Sequence, residues 1–224
     1  MHVLLWTEVT VHSIMEINWL LFLPALLLVF YPLDNWLHGH HVRLRDYERL
    51  REDRLDAPDA WWRQPWFWVD PLRAFAGSWL LRNAWVIEPP LPGLWRHLPL
   101  LATVVVLALA VGVQMHTRRD DGVLFAPVGY TAGIVFGLMP PEVAILVVVL
   151  AGACLMAFRG WGAFFFCGSA AAGIFGYLIL KVDVWMAATV LLLIEPLLLS
   201  LLVRRQLRLP ISRGELVVRK LGTS

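Results

Sequence analysis

Apolar residues in this chain come in long unbroken blocks rather than in alternation with polar ones. Ile17–Tyr31, Leu100–Met115, Val123–Met139, Pro141–Phe158, Trp161–Leu180 and Val184–Val203 are rich in Leu, Val and Ala and show no period of two. Blocks of this kind predict helices. A hydrocarbon core about 30 Å thick takes roughly 20 apolar residues to cross at about 1.5 Å per residue. Inside it every backbone N–H and C=O needs a partner from the protein, which helices and closed barrels supply. The pattern therefore predicts an all-α, polytopic integral membrane protein with about six transmembrane helices. The chain divides into an N-terminal anchor helix (1–32), an Arg/Trp-rich segment (33–98), a helical membrane bundle (99–203) and a basic C-terminal tail (204–224).

Two blocks are unusual. The first is short, so Val11–Glu16 is expected to extend its helix. No Lys or Arg precedes it and Pro32 and Asp34 follow directly, which reads as a retained anchor rather than a cleaved signal peptide. The third contains Pro127 and ends at Pro140–Pro141, and it carries Gly129, Gly133 and Gly137 four residues apart. Residues four apart share a helix face, and glycines there let two backbones approach closely. The block is either a full span or a re-entrant element shielded by protein. The fifth block has its own small face, Gly168, Ser169, Ala172, Gly173 and Gly176. The simplest partner for the glycines of the third block is this second small face. A partner's helix in that groove, or a substrate or ion path, is the alternative.

Between the first and second blocks lies a polar stretch, Leu33–His97, with nine arginines and eight of the 12 tryptophans. Tryptophan favours the membrane–water boundary. Asp70 fits a helix N-cap with Pro71 at the first helical position. After it, Leu72, Phe75, Ala76, Trp79 and Leu80 recur at helical spacing, with Arg73 and Arg82 elsewhere on the helix. An amphipathic helix over Asp70–Trp85, lying in the interface with Leu72, Phe75, Trp79 and Leu80 toward lipid or protein, is expected. Arg43–Arg54 mixes Arg with Asp and Glu. It reads as a solvated, salt-bridged helix and not as a nucleic-acid patch.

Composition sharpens the membrane reading. Hydrophobic residues make up 59% of the chain and charged ones 16%, against about 45–50% and about 25% in soluble domains. Of the 19 basic residues only Lys181 and Lys220 are lysines. That bias suggests a GC-rich bacterial genome and hence the inner membrane. Lys and Arg favour the cytoplasmic side, which places residues 33–98 there and the N-terminus outside. The rule then conflicts with six full crossings. Six would leave ten Lys/Arg inside and nine outside; dropping one crossing gives 16 against three.

Glu195 stands mid-block before Pro196. A carboxylate at the bilayer centre costs at least about 2.5 kcal/mol, and the proline frees the carbonyl of Leu192. Structural glue through Tyr130, Thr131 or Ser169, a proton or ion role, and a pair with a partner's cation are the three readings. Asp34, His38 and His41 would share a helix face and are weak candidates for zinc or iron. The H-x-H-H string His38–His41 resembles one box of the membrane di-iron desaturases and hydroxylases. Those enzymes need several such boxes, and His2, His12, His97 and His116 stand isolated, so no metal or other cofactor is expected. Cys154 and Cys167 lack zinc-site spacing and read as free thiols. Phosphate-binding, serine-hydrolase, zinc-protease and dinucleotide-binding motifs are absent. The sequence thus points to a non-catalytic accessory or assembly subunit of a larger bacterial inner-membrane complex. Its expected partners are the lipid bilayer and other membrane subunits or itself, with no nucleic acid. A small enzyme or carrier for a lipid-linked or ionic substrate, using Glu195, is the alternative.

Overall fold

The computed structural model describes residues 14–31, 65–88, 97–116, 123–158, 160–181, 183–204 and 206–208. Within them lie α1 (Trp19–Phe30), α2 (Pro65–Asn83), α3 (Leu98–His116), α4 (Val128–Leu138), α5 (Pro141–Phe158), α6 (Trp161–Leu180) and α7 (Val184–Val203). Helices α3, α5, α6 and α7 are 18 to 20 residues long, with mean hydropathy of 1.9 to 2.3 over their most apolar stretch. They are long and apolar enough to cross a bilayer, so this is a helical, membrane-embedded protein.

Four short strands were not expected. Strand β1 (Ile14–Ile17) pairs antiparallel with β2 (Trp85–Glu88), and β3 (Val123–Phe125) pairs parallel with β4 (Gln206–Arg208). They revise two expectations. Residues 14–17 do not extend the first helix; they run as a strand into the Asn18 cap, whose side chain accepts from the Leu20 N–H at 3.1 Å. The third block likewise opens as a strand, and its helix is the 11-residue α4 alone. Helices of 12 and 11 residues measure only about 18 and about 16 Å. Pro127 caps the start of α4, and Met139 in extended conformation ends it before Pro140.

Contacts fix the direction of every helix. Gly77 of α2 lies against Ala25, Leu28 and Val29 of α1, and Asn18 N–H donates to the Ala84 carbonyl at 2.8 Å, so α1 and α2 are antiparallel. Gly133 and Gly137 of α4 lie against Pro71–Ala74 and Phe75–Ser78 of α2, so these two run parallel. Gly168 of α6 meets Ala151 of α5, and Gly176 meets Met139 beside the start of α5. Gly162, Gly168, Gly173 and Gly176 of α6 meet Leu197, Leu193, Val190 and Met186 of α7 in reverse order. Helix α3 starts near the end of α2, where Trp85 Nε1 donates to Thr103 Oγ1 at 3.0 Å, and its far end packs on β3. Successive helices therefore alternate in direction all along the described chain.

The core forms around α4. Tyr130, Ile134 and Leu138 join Ala25 and Val29 of α1, Ala74 and Leu81 of α2, Leu107 and Met115 of α3, and Leu192 of α7. Val135 and Met139 join a second cluster with α5, α6 and α7. Helix α4 is thus buried on almost every side, which a helix this short and apolar tolerates only inside a bundle.

Helix α2 departs most from expectation. It starts at Pro65, not after Asp70, and it ends at Asn83 before β2. Leu72, Phe75 and Trp79 do form an outward stripe, 63%, 40% and 51% exposed, while Leu80 packs partly on the core. The opposite face, expected to meet water, is the buried one: Arg73, Ala74, Gly77, Ser78 and Leu81 pack against α1 and α4. The glycines of α4 accordingly meet α2, and not the small face of α6, which packs against α5 and α7. Small side chains win these positions because they bring backbones close enough for dispersion and for polar contacts to main chain.

Candidate functional site

The polar groups of the bundle gather along α2. The last four carbonyls of a helix have no partner within it, and they form the negative end of its dipole. Two short helices ending inside a membrane protein raise that problem twice, and α2 answers both. The Arg73 guanidinium donates through Nη1 to the carbonyl of Tyr31, the C-cap of α1. Nine residues on, Arg82 Nη1 donates to the Leu138 carbonyl, the last residue of α4, at 2.8 Å. Tyr130 adds a third clamp, its hydroxyl donating to the Val29 carbonyl of α1 at 2.8 Å.

Each arginine is held by a second contact. Arg73, only 5% exposed, forms an ion pair with Asp70 at 2.9 Å and lies 5.3 Å over the Tyr130 ring. Arg82 lies 5.0 Å over the Trp185 ring at the start of α7. A guanidinium is planar, weakly hydrated for a cation and able to stack on aromatic faces, which suits it to this position better than lysine. The Arg73 Nε is buried without a partner among the described residues. The sequence contained a signal for this arrangement that the apolar stripe obscured: Ala74 and Ser78 are themselves small residues four apart.

The other candidate residues fall into place around this frame. Gly133 and Gly137 are buried against α2, and Gly129 is half-buried at the start of α4. Ser169 reaches across to α7, its hydroxyl 3.3 Å from the Val190 carbonyl. Gly168 and Gly176 are buried and Gly173 is half-buried. Asp34, His38 and His41 lie outside the described residues, as does all of 33–64.

Glu195 is half-buried on α7. Leu192 and Pro196 beside it face the core, and Leu191 and Leu198 face outward, so the carboxyl stands at the edge of the bundle. None of the three hydroxyls expected to hold it does so. Tyr130 donates to Val29, Thr131 to Pro127 at 3.0 Å, and Ser169 to Val190. Hydroxyls in helices reach carbonyls of the preceding turn or of an abutting helix more readily than a distant side chain. The Glu195 Oε2 atom is buried and has no partner among the described residues. One turn away, the space between Thr131, Ile134, Val135, Thr189, Leu192 and Leu193 has no room for a water molecule.

Chemically the arrangement offers donors turned to main-chain carbonyls and, between α4 and α7, a seam with no room for a water molecule. Arg73, Arg82, Tyr130, Thr131 and Ser169 are committed to main-chain carbonyls, and Glu195 Oε2 is a buried carboxyl oxygen without a partner among the described residues. Comparison with protein-family models, with characterised proteins and with solved structures finds no match to this chain.

Proposed function

We propose that this chain is a non-catalytic accessory or assembly subunit of a larger complex in the bacterial inner membrane. The observation that carries the reading is that the α4–α7 seam one turn from Glu195 has no room for a water molecule: a carrier or enzyme working through that carboxyl from the bundle interior would need a polar path there. The commitment of Arg73, Arg82, Tyr130, Thr131 and Ser169 to carbonyls supports the same reading. The small faces of α4 and α6 are filled within the chain. A partner would therefore meet the outward faces of α3 and α5, where Gly112 and Gly152 have nothing within 4 Å.

A second reading keeps Glu195 as a proton- or ion-handling group, favoured by its buried, unpartnered Oε2. One experiment separates the two. The tagged chain is purified in mild detergent beside Glu195→Gln, and copurifying proteins are quantified. A subunit gives a partner at fixed stoichiometry that survives Glu195→Gln and is lost in Gly112→Leu or Gly152→Leu. A chain that purifies alone, with activity in cells abolished by Glu195→Gln, overturns the subunit reading.

A further inference from the structure

Helix α2 carries Asp70, Arg73 and Arg82, and by composition it is the least membrane-like helix in the bundle. Yet it runs between α1 and α4, alternates in direction with its neighbours α1 and α3, and turns Leu72, Phe75 and Trp79 outward. We infer that α2 is a full membrane crossing, and that it is a conditional one: it stays in the bilayer because the carbonyl ends of α1 and α4 receive its arginines. The inference holds whether or not the chain serves as a subunit.

Three independent observations converge on it. The first is charge. With α2 as a crossing the chain passes the membrane seven times, and the basic residues sort by side. The links on one side hold six arginines between Tyr31 and Pro65, Arg118 and Arg119 between α3 and β3, and Arg159 between α5 and α6. That side also holds the six Lys/Arg from Arg204 onward. The other side holds Arg96 and Lys181. Fifteen against two is a clear cytoplasmic bias, where six crossings without α2 gave ten against nine. On this inference 33–64 faces the cytoplasm and Arg96 the opposite side, in place of all of 33–98 on the cytoplasmic side.

The second is length. Helices α1 and α4 are too short to cross alone, but α1 follows five residues of extended chain, Ile14–Asn18, and α4 follows the three-residue strand Val123–Phe125 and a tight turn over Pro127, where the Val128 N–H donates to the Ala126 carbonyl at 2.8 Å. At about 3.3 Å per extended residue and about 1.5 Å per helical one, the β1–α1 unit reaches roughly 35 Å, enough for the hydrocarbon core, and the β3–α4 unit reaches roughly 26 Å before its Ala126–Pro127 turn is counted. Extended backbone at that depth needs hydrogen-bond partners, and the β1–β2 and β3–β4 ladders supply them. Strand β2 continues directly from α2, so β1 has its partner only if α2 crosses.

The third is the clamps themselves. An arginine in a span is costly unless it finds carbonyls or an anion. Arg73 and Arg82 find the helix ends that most need a donor. Helix α2 solves the problem of α1 and α4, and they solve its own. Helix α4 follows α2 in the chain, so α2 has its full set of contacts only after α4 is in place.

The test is cysteine accessibility in the full-length chain, in a Cys154→Ala/Cys167→Ala background. Glu88→Cys, at the end of β2, reports the side reached after α2. In intact cells with a permeable outer membrane, a membrane-impermeant maleimide is expected to label it from the periplasm. Adding Gly133→Leu and Gly137→Leu on α4 leaves the composition of α2 unchanged but removes its seat. Periplasmic labelling should then fall about tenfold or more, from the cost of unclamped arginines. Adding Arg73→Leu and Arg82→Leu to that α4 variant should restore labelling, because α2 then needs no carbonyls; a variant that had merely misfolded would not be rescued this way. Label reaching Glu88→Cys only from the cytoplasm would show that α2 does not cross. Unchanged labelling in the α4 variant, or no rescue by the arginine substitutions, would show that its crossing is not conditional on the clamps.

Discussion

Replacing Gly133 by alanine adds one methyl group at the point where α4 touches α2. Built on the backbone, that methyl would overlap the Pro71 carbonyl oxygen and sit 2.9 Å from its carbon and 2.9 Å from the Ala74 Cβ. These are main-chain atoms and a methyl fixed to main chain, so no rotamer relieves the contact. The helices must separate by roughly an ångström, and the loss of packing and the strain together cost about 1–3 kcal/mol or somewhat more. Separation also stretches the Arg82–Leu138 bond at the far end of the same interface. Three glycines calibrate the expectation. Gly176→Ala meets Met186 Cγ at 2.5 Å and Sδ at 2.8 Å, a flexible side chain that can turn away, so it should cost less than Gly133→Ala. Gly112→Ala and Gly152→Ala meet nothing within 4 Å. They should be neutral or stabilising by up to about 1 kcal/mol from helix propensity. Thermal stability of each variant in one detergent, read as the fraction that stays monodisperse by size-exclusion chromatography after heating, ranks the four. If Gly133→Ala proves as stable as Gly112→Ala, the α2–α4 backbone contact is not what holds this bundle, and the reasoning fails.

Three further outcomes follow from the clamps and seams. Tyr130→Phe leaves the Val29 carbonyl without its donor and should destabilise by about 1–3 kcal/mol; the same thermal assay should show Thr131→Val, which loses only a bond within its own helix, much closer to wild type. Arg82→Lys keeps the charge but loses the planar stack on Trp185, and should fall between wild type and Arg82→Ala in stability; equal loss for both would discount the stack. Glu195→Leu removes a buried carboxyl oxygen that has no partner among the described residues, so the isolated chain should gain stability or stay unchanged; a loss of more than about 1 kcal/mol would mean that a bound group satisfies that oxygen.

The sequence by itself determined the membrane and the long apolar helices. Blocks of about 20 apolar residues have few other fates, because unpaired backbone polar groups are too costly in hydrocarbon. It also marked Gly133 and Gly137 as a close-approach face, since small residues four apart mean the same thing in any helix. It did not determine what that face meets, because every small face in a chain is complementary to every other. Only the tertiary structure chose α2 for α4, and α5 and α7 for α6. Helix α2 was misread for a related reason. Its stripe of Leu72, Phe75 and Trp79 looks the same whether the opposite face meets water or protein, and Arg73 and Arg82 argue for water until a carbonyl is found for each. Those carbonyls belong to helices that end 42 residues before Arg73 and 56 residues after Arg82, at Tyr31 and Leu138. Local pattern fixes where a chain can be helical; whether a charged helix can live among the others depends on hydrogen-bond partners that only folding brings into reach.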